Sequence, residues 1–115
     1  MRLVVTGGRK LNDRELILGA LDDLHQRRPV TVLIEGEAPG LDRWSKYWAV
    51  QRGVAVEPYR ADWSIGPAAG PQRNDAMIVM GKPDYGLVFP GGTGTADMRR
   101  RLVAAGIPFE EVANA

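Results

Sequence analysis

The run Phe89-Pro90-Gly91-Gly92-Thr93-Gly94-Thr95 follows the apolar stretch Gly86-Leu87-Val88 and leads into a segment of helical character from about Thr95. Glycines let a ligand approach the backbone closely. A helix starting there points unpaired N–H groups and the positive end of its dipole at the same spot. That combination suits a phosphate; the plainer use is an ordinary strand-to-helix turn. No Lys-Ser or Lys-Thr follows the glycines, so this is not the loop of a magnesium-dependent ATPase. Arg73 and Asn74 stand near another helix start, in Ala69-Gly70-Pro71-Gln72-Arg73-Asn74. An arginine so placed can fork onto a phosphate or carboxylate through paired N–H bonds, the alternative being a surface partner for Asp75.

Composition narrows the chemistry further. At 115 residues, the chain forms one domain over 1–115 with a single core. Its 44% hydrophobic and 25% charged residues are ordinary for a globular protein, and a net charge of +1 does not mark a nucleic-acid binder. There is no cysteine, which removes disulfides, zinc–thiolate sites and thiol nucleophiles. The lone histidine, His25, reads as a surface residue at a helix end, leaving no histidine triad and no metal cluster. No apolar run reaches the length of a membrane span, and Met1-Arg2-Leu3-Val4-Val5 enters a strand without a signal-peptide core. The expected location is the cytoplasm.

The elements that position these residues alternate regularly. Leu3-Val4-Val5 reads as a strand ending in Thr6-Gly7-Gly8-Arg9. Asn12 and Glu15 form a capping box for a helix whose apolar face is Leu16, Ile17, Ala20, Leu21 and Leu24. Val30 to Ile34 is a second strand, followed by Glu35-Gly36-Glu37-Ala38-Pro39-Gly40. Leu41, Trp44, Trp48 and Ala49 mark a second helix stopping near Gly53, and Val54 to Glu57 a third strand. Pro58 to Pro71 is too rich in breakers for a regular element and reads as a long loop. Gln72 to Met80 is helical, Gly86 to Phe89 a fourth strand, and Met98, Leu102, Val103 and Ala105 line a last helix ended by Gly106. Ile107-Pro108-Phe109 opens an edge strand. Such alternation predicts an α/β fold, a Rossmann-like three-layer sandwich on a mostly parallel five-stranded sheet. Every candidate motif follows a strand, so all converge on the carboxyl edge of one sheet.

Taken together, these segments resemble the SLOG superfamily. Pro90-Gly91-Gly92-Thr93-Gly94-Thr95 is similar to its Pro-Gly-Gly-x-Gly-Thr signature, shared with the "lonely guy" phosphoribohydrolases and the SLOG domain of DprA. The YspA-type branch is closer. Its motifs match Thr6-Gly7-Gly8-Arg9, Gly36-Glu37-Ala38-Pro39-Gly40-Leu41-Asp42, Ala61-Asp62-Trp63, Ala69-Gly70-Pro71-Gln72-Arg73-Asn74 and Gly94-Thr95-Ala96-Asp97-Met98, in order along nearly the whole chain. The resemblance implies a nucleotide or nucleotide-derived ligand. Its phosphate meets Gly91, Gly92, Gly94 and Thr95, with Thr93 in the same loop, and Arg73 beside Asn74 completes the clamp. Gly7, Gly8 and Arg9 border the crevice, as does Gly36. Asp42, Asp62 and Asp97 are acceptors for ribose hydroxyls. Trp63 either stacks on a base or belongs to the core. Trp44 and Trp48 serve packing or a dimer face.

The phosphoribohydrolases carry a glutamate where this chain has Met98, which holds no ionisable group. Asp97 lies one residue earlier, roughly 100° around a helix. The preferred reading is therefore a nucleotide-binding module that senses, stores or presents its ligand. The second is an N-glycosidase acting on a nucleoside monophosphate or signalling nucleotide, with Asp97 and Arg73 catalytic. The third is a DNA-associated protein of the DprA kind, for which Arg99-Arg100-Arg101 is the obvious basic run. Consecutive helical residues point in different directions, so nucleic acid is the less favoured partner. No reading calls for a cofactor, a metal or a membrane, and the resemblance implies a homodimer.

Overall fold

The computed structural model describes residues 1–113. Nine elements alternate along it: β1 (Arg2–Thr6), α1 (Arg14–Arg27), β2 (Val32–Glu35), α2 (Leu41–Arg52), β3 (Ala55–Pro58), α3 (Ala69–Val79), β4 (Tyr85–Val88), α4 (Thr93–Ala105) and β5 (Phe109–Glu111). The strands form one sheet in the order β3-β2-β1-β4-β5, and every pairing is parallel. This is the expected Rossmann-like arrangement.

Strand alternation builds the three layers. Leu3, Val5, Leu33 and Leu87 face one side, where Ile17, Leu21 and Leu24 of α1 and Leu41 and Trp48 of α2 cover them. Val4, Ile34 and Val88 face the other, beneath Met77 of α3 and Met98 and Leu102 of α4. Central strands buried on both faces explain the unbroken apolar runs of the sequence. The chain runs outward from β1 to β3, then returns to β1's other side at β4. The loops after β1 and β4 therefore part company at the topological switch point, where open sheets of this kind leave a crevice.

Several local expectations are corrected. The N-cap of α1 is Asp13, whose Oδ1 accepts from the Leu16 N–H at 3.1 Å. Asn12 instead accepts the Trp44 indole N–H at 2.7 Å. His25 is half-buried: its Nδ1 accepts from the Val30 N–H at 2.9 Å and its ring meets Trp48 edge-on at 5.4 Å. Helix α3 starts at Ala69, ahead of the expected Gln72, because Pro71 falls in the first turn, where an N–H has no intrahelical acceptor. The breaker-rich stretch also contains a 3₁₀ turn at Trp63–Ile65. Helix α4 starts at Thr93 rather than Thr95, β2 at Val32, and β5 at Phe109 after the left-handed Gly106. Trp48 is fully buried and Trp44 is anchored to Asn12, so both serve the chain's own packing.

Candidate functional site

The β1–α1 loop ties the carboxyl edge together through Gly8. Its N–H donates to Pro90 O at 2.8 Å, and its carbonyl accepts from Leu11 N and Leu41 N, both at 3.2 Å. Contact this close leaves little room for side chains. A Cβ on Gly91 would stand 2.8 Å from Gly8 N and from Thr95 Cβ, and one on Gly7 would stand 2.8 Å from Leu41 Cβ. Gly92 and Gly94 differ, since a Cβ on either meets nothing within 4 Å. They face open space.

That space is a cavity of about 970 Å³ at the switch point. Gly7, Gly8 and Arg9 line it from the first loop and Gly91, Gly92, Thr93, Gly94 and Thr95 from the last, with Asp42, Arg73, Asn74 and Asp97 between them. Three helices begin around it without a side-chain cap: α2 after Gly40, α3 after Ala68 and α4 after Gly92. Among the described α-helices α1, starting outside the cavity lining, carries one. The first N–H of α2 donates to Gly8 O at 3.2 Å and that of α3 to Gly66 O at 3.1 Å, so what converges on the one volume is three positive dipole ends, which favours an anion.

Arg73 crosses the cavity wall from α3. Its Nη1 donates to Gly36 O and its Nε to Asn74 Oδ1, the latter at 3.1 Å. Desolvation lowers its pKa, opposed by Asp42 and Glu35, as a half-buried guanidinium requires. Asn74 is buried, and its Nδ2 donates to Gly94 O at 3.2 Å and Asp97 Oδ2 at 3.0 Å. This amide clips α3 to the first turn of α4 and orients its neighbours on both sides. Asp97 Oδ2 also accepts from Arg101 Nε at 2.8 Å. Burial acts to raise its pKa, but Arg101, Asn74 and Arg100 together hold it below the usual carboxylate range. Asp97 is an ionised, already paired acceptor.

Asp42 is the opposite case. It is 7% exposed at the start of α2, and Oδ2 accepts from Ala38 N at 3.2 Å. Burial pushes it up to about 6, against the Ala38 and Gly36 N–H groups and the charges of Arg73 and Arg9. Glu35, at the end of β2, is fully buried and pushed up to about 7 by the same desolvation, although Glu37 N donates to its Oε1 at 2.8 Å. Its Oε2 has no partner among the described residues. The sequence places Glu35 in the Glu35-Gly36-Glu37 segment after the second strand but gives no sign of its burial, since an acid after apolar strand positions looks like a strand end.

Gly36 and Asp62 stand outside the cavity lining. Gly36 lies behind it, under Arg73, while Asp62 caps the 3₁₀ turn by accepting from Ser64 N at 3.1 Å. Trp63 lines the cavity and is 49% exposed, so it is not a core residue. The basic run is largely neutralised: Arg99 pairs with Glu111, Arg100 reaches Asp97, and Arg101 joins Asp97 and Asp75. Met98 is fully buried in the α3–α4 layer and is not among the residues lining the cavity. No helix of the described residues is long and apolar enough to cross a membrane.

A parallel sheet in the order 3-2-1-4-5 with an anion-favouring crevice at its switch point defines a Rossmann-like α/β binding fold. The chain belongs to the YspA, cpYpsA-related SLOG family, whose sequence model matches residues 1–66. That match ends before α3, so Arg73 and the Pro90–Thr95 loop lie beyond it. The chain is also similar to the Gene 61 protein of Mycobacterium phage D29, at 39% identity over 116 residues, covering 93% of this chain and 92% of that one. No solved structure gives a significant match.

Proposed function

We propose that the cavity binds a nucleotide or nucleotide-derived small molecule and that the protein acts as a sensing or ligand-presenting module. The phosphate sits on the Pro90–Thr95 loop, against the backbone of Gly92 and Gly94 and the first N–H groups of α4. Arg73 closes on it from α3. One observation carries the reading: the glycine loop and Arg73 line the same cavity, where three helix starts without a side-chain cap point their dipoles. A volume of about 970 Å³ is ample for a nucleotide. The test is a thermal-shift panel of mono-, di- and cyclic nucleotides. Stabilisation by at least one species, lost in Arg73→Ala, is expected; no shift with any species contradicts the proposal.

Hydrolysis of the ligand's N-glycosidic bond is the second reading, and the contrast between two carboxylates favours it. Asp97 is held ionised, while Asp42 is pushed up to about 6, the kind of divergence that separates acid–base roles in a site. Water would add its oxygen to the anomeric carbon as the carbon–nitrogen bond breaks. The bonding pair and a proton go to the departing base, giving a ribose phosphate and a free base. Release of free base from nucleoside monophosphates, abolished by Asp97→Ala or Asp42→Asn, supports this; a panel without release removes it. The homodimer implied by the family resemblance predicts twice the chain mass in light scattering, and a concentration-independent monomer mass contradicts it.

A further inference from the structure

We propose that Trp63 is the platform on which the aromatic base of the ligand stacks, and that the base takes the ring face now covered by Arg9. This rests on the nucleotide reading above and specifies what that reading leaves open, the recognition of the base.

The geometry begins with an indole in an unusual place. Trp63 is 49% exposed, lines the cavity and belongs to neither hydrophobic core cluster. It is nonetheless firmly seated. Asp62 caps its 3₁₀ turn through Ser64 N, and Gly66 N donates back to Trp63 O at 3.1 Å. The far edge of the ring rests on Gly70 in the first turn of α3, where a Cβ would stand 3.2 Å from Cη2. A half-exposed ring braced at its edge is built to be stacked upon.

Arg9 supplies the second half. Its guanidinium lies 5.2 Å from the Trp63 ring centroid, while the side chain is exposed and pairs with no carboxylate among the described residues. An exposed cation–π contact is weaker than the stacking of a nucleobase on an aromatic side chain, so a base wins the ring. The displaced guanidinium is next in sequence to Gly8, which touches Pro90 of the phosphate loop. It becomes a second cation for the phosphate. The site thereby prefers a nucleotide to a sugar phosphate lacking the base.

The test is calorimetric titration of the full chain with the 5′-monophosphates of adenosine, guanosine, cytidine and uridine, and with ribose 5-phosphate. Wild type, Trp63→Phe and Trp63→Leu are compared, with circular dichroism confirming the fold. Trp63→Leu should weaken the best nucleotide about tenfold or more and leave ribose 5-phosphate unchanged, while Trp63→Phe stays close to wild type. Equal losses for both ligands, or none, overturn the platform. Wild-type binding of ribose 5-phosphate as tight as any nucleotide also overturns it, but leaves the phosphate site standing. Binding of neither ligand overturns both.

Discussion

Gly36 and Arg73 fit together because the glycine has no Cβ: Arg73 Nη1 donates to Gly36 O, and a Cβ on Gly36 would stand 2.8 Å from Arg73 Cζ. The contact joins the β2–α2 loop to α3 and aims the guanidinium along the cavity wall.

Gly36→Ala is therefore expected to act through Arg73. The helical signal in circular dichroism should survive, while nucleotide-induced thermal stabilisation falls as far as in Arg73→Ala. Full retention of the ligand shift in Gly36→Ala would show that Arg73's position is not what binding needs.

The glycines of the last loop should separate into two kinds. Gly91→Ala forces a methyl into Gly8 N and Thr95, a clash expected to lower stability by about 1–3 kcal/mol. Gly92→Ala and Gly94→Ala meet no protein atom within 4 Å and should leave the melting temperature nearly unchanged while weakening nucleotide binding. Melting curves with and without nucleotide check both statements. A destabilised Gly92→Ala, or one that binds normally, would contradict the assignment of that space to the phosphate.

Much of this arrangement was legible in the residues, and the limits have physical causes. Apolar runs separated by helical periods reveal a parallel sheet, and a parallel sheet puts the loops after its strands on one edge. Hence Gly8 and Gly92 could be grouped without coordinates, while Arg73 joined them through the family resemblance. Trp48 and Trp63 could not be told apart by type: one is fully buried and the other 49% exposed, a difference set by tertiary packing. Asn12 and Asp13 compete for the same N-cap, and Trp44's indole decides between them by claiming Asn12. Glu35's burial depends on α2 folding over β2, which no local pattern encodes.

Met98 marks where this chain departs from the phosphoribohydrolase pattern, and its position explains why. It is fully buried against Val4, Met77, Val88 and Leu102, so Met98→Glu places an unpaired charge in the core. A loss of about 3 kcal/mol or more is expected rather than a gain of hydrolysis. Chemical denaturation and a base-release assay read the two outcomes separately. A stable, hydrolytic Met98→Glu would mean that position 98 reaches the cavity.

Stability should also carry a pH signature from Asp42 and Glu35. Their folded pKa values, about 6 and about 7, lie above those of the unfolded chain, so the folded protein binds more protons between about pH 4 and pH 7. Their contribution is complete at the acid end of that window and is lost as pH rises through it. Asp97, Asp22, Glu57 and Glu110, held low mainly by arginine partners, act oppositely and at lower pH. Asp42→Asn and Glu35→Gln should flatten the decline between pH 4 and 7. An unchanged slope in the double variant would reject the assignment.

Under the proposed function, a nucleotide phosphate is held between the Pro90–Thr95 loop and Arg73. Calorimetric titration of wild type and Arg73→Ala with the nucleotide panel tests it most directly. Saturable one-site binding of at least one nucleotide by wild type is expected, weakened about tenfold or more in Arg73→Ala, as the loss of a charge-assisted hydrogen bond implies. Equal affinity in the two proteins, or no heat of binding from any nucleotide in a folded wild type, would contradict it.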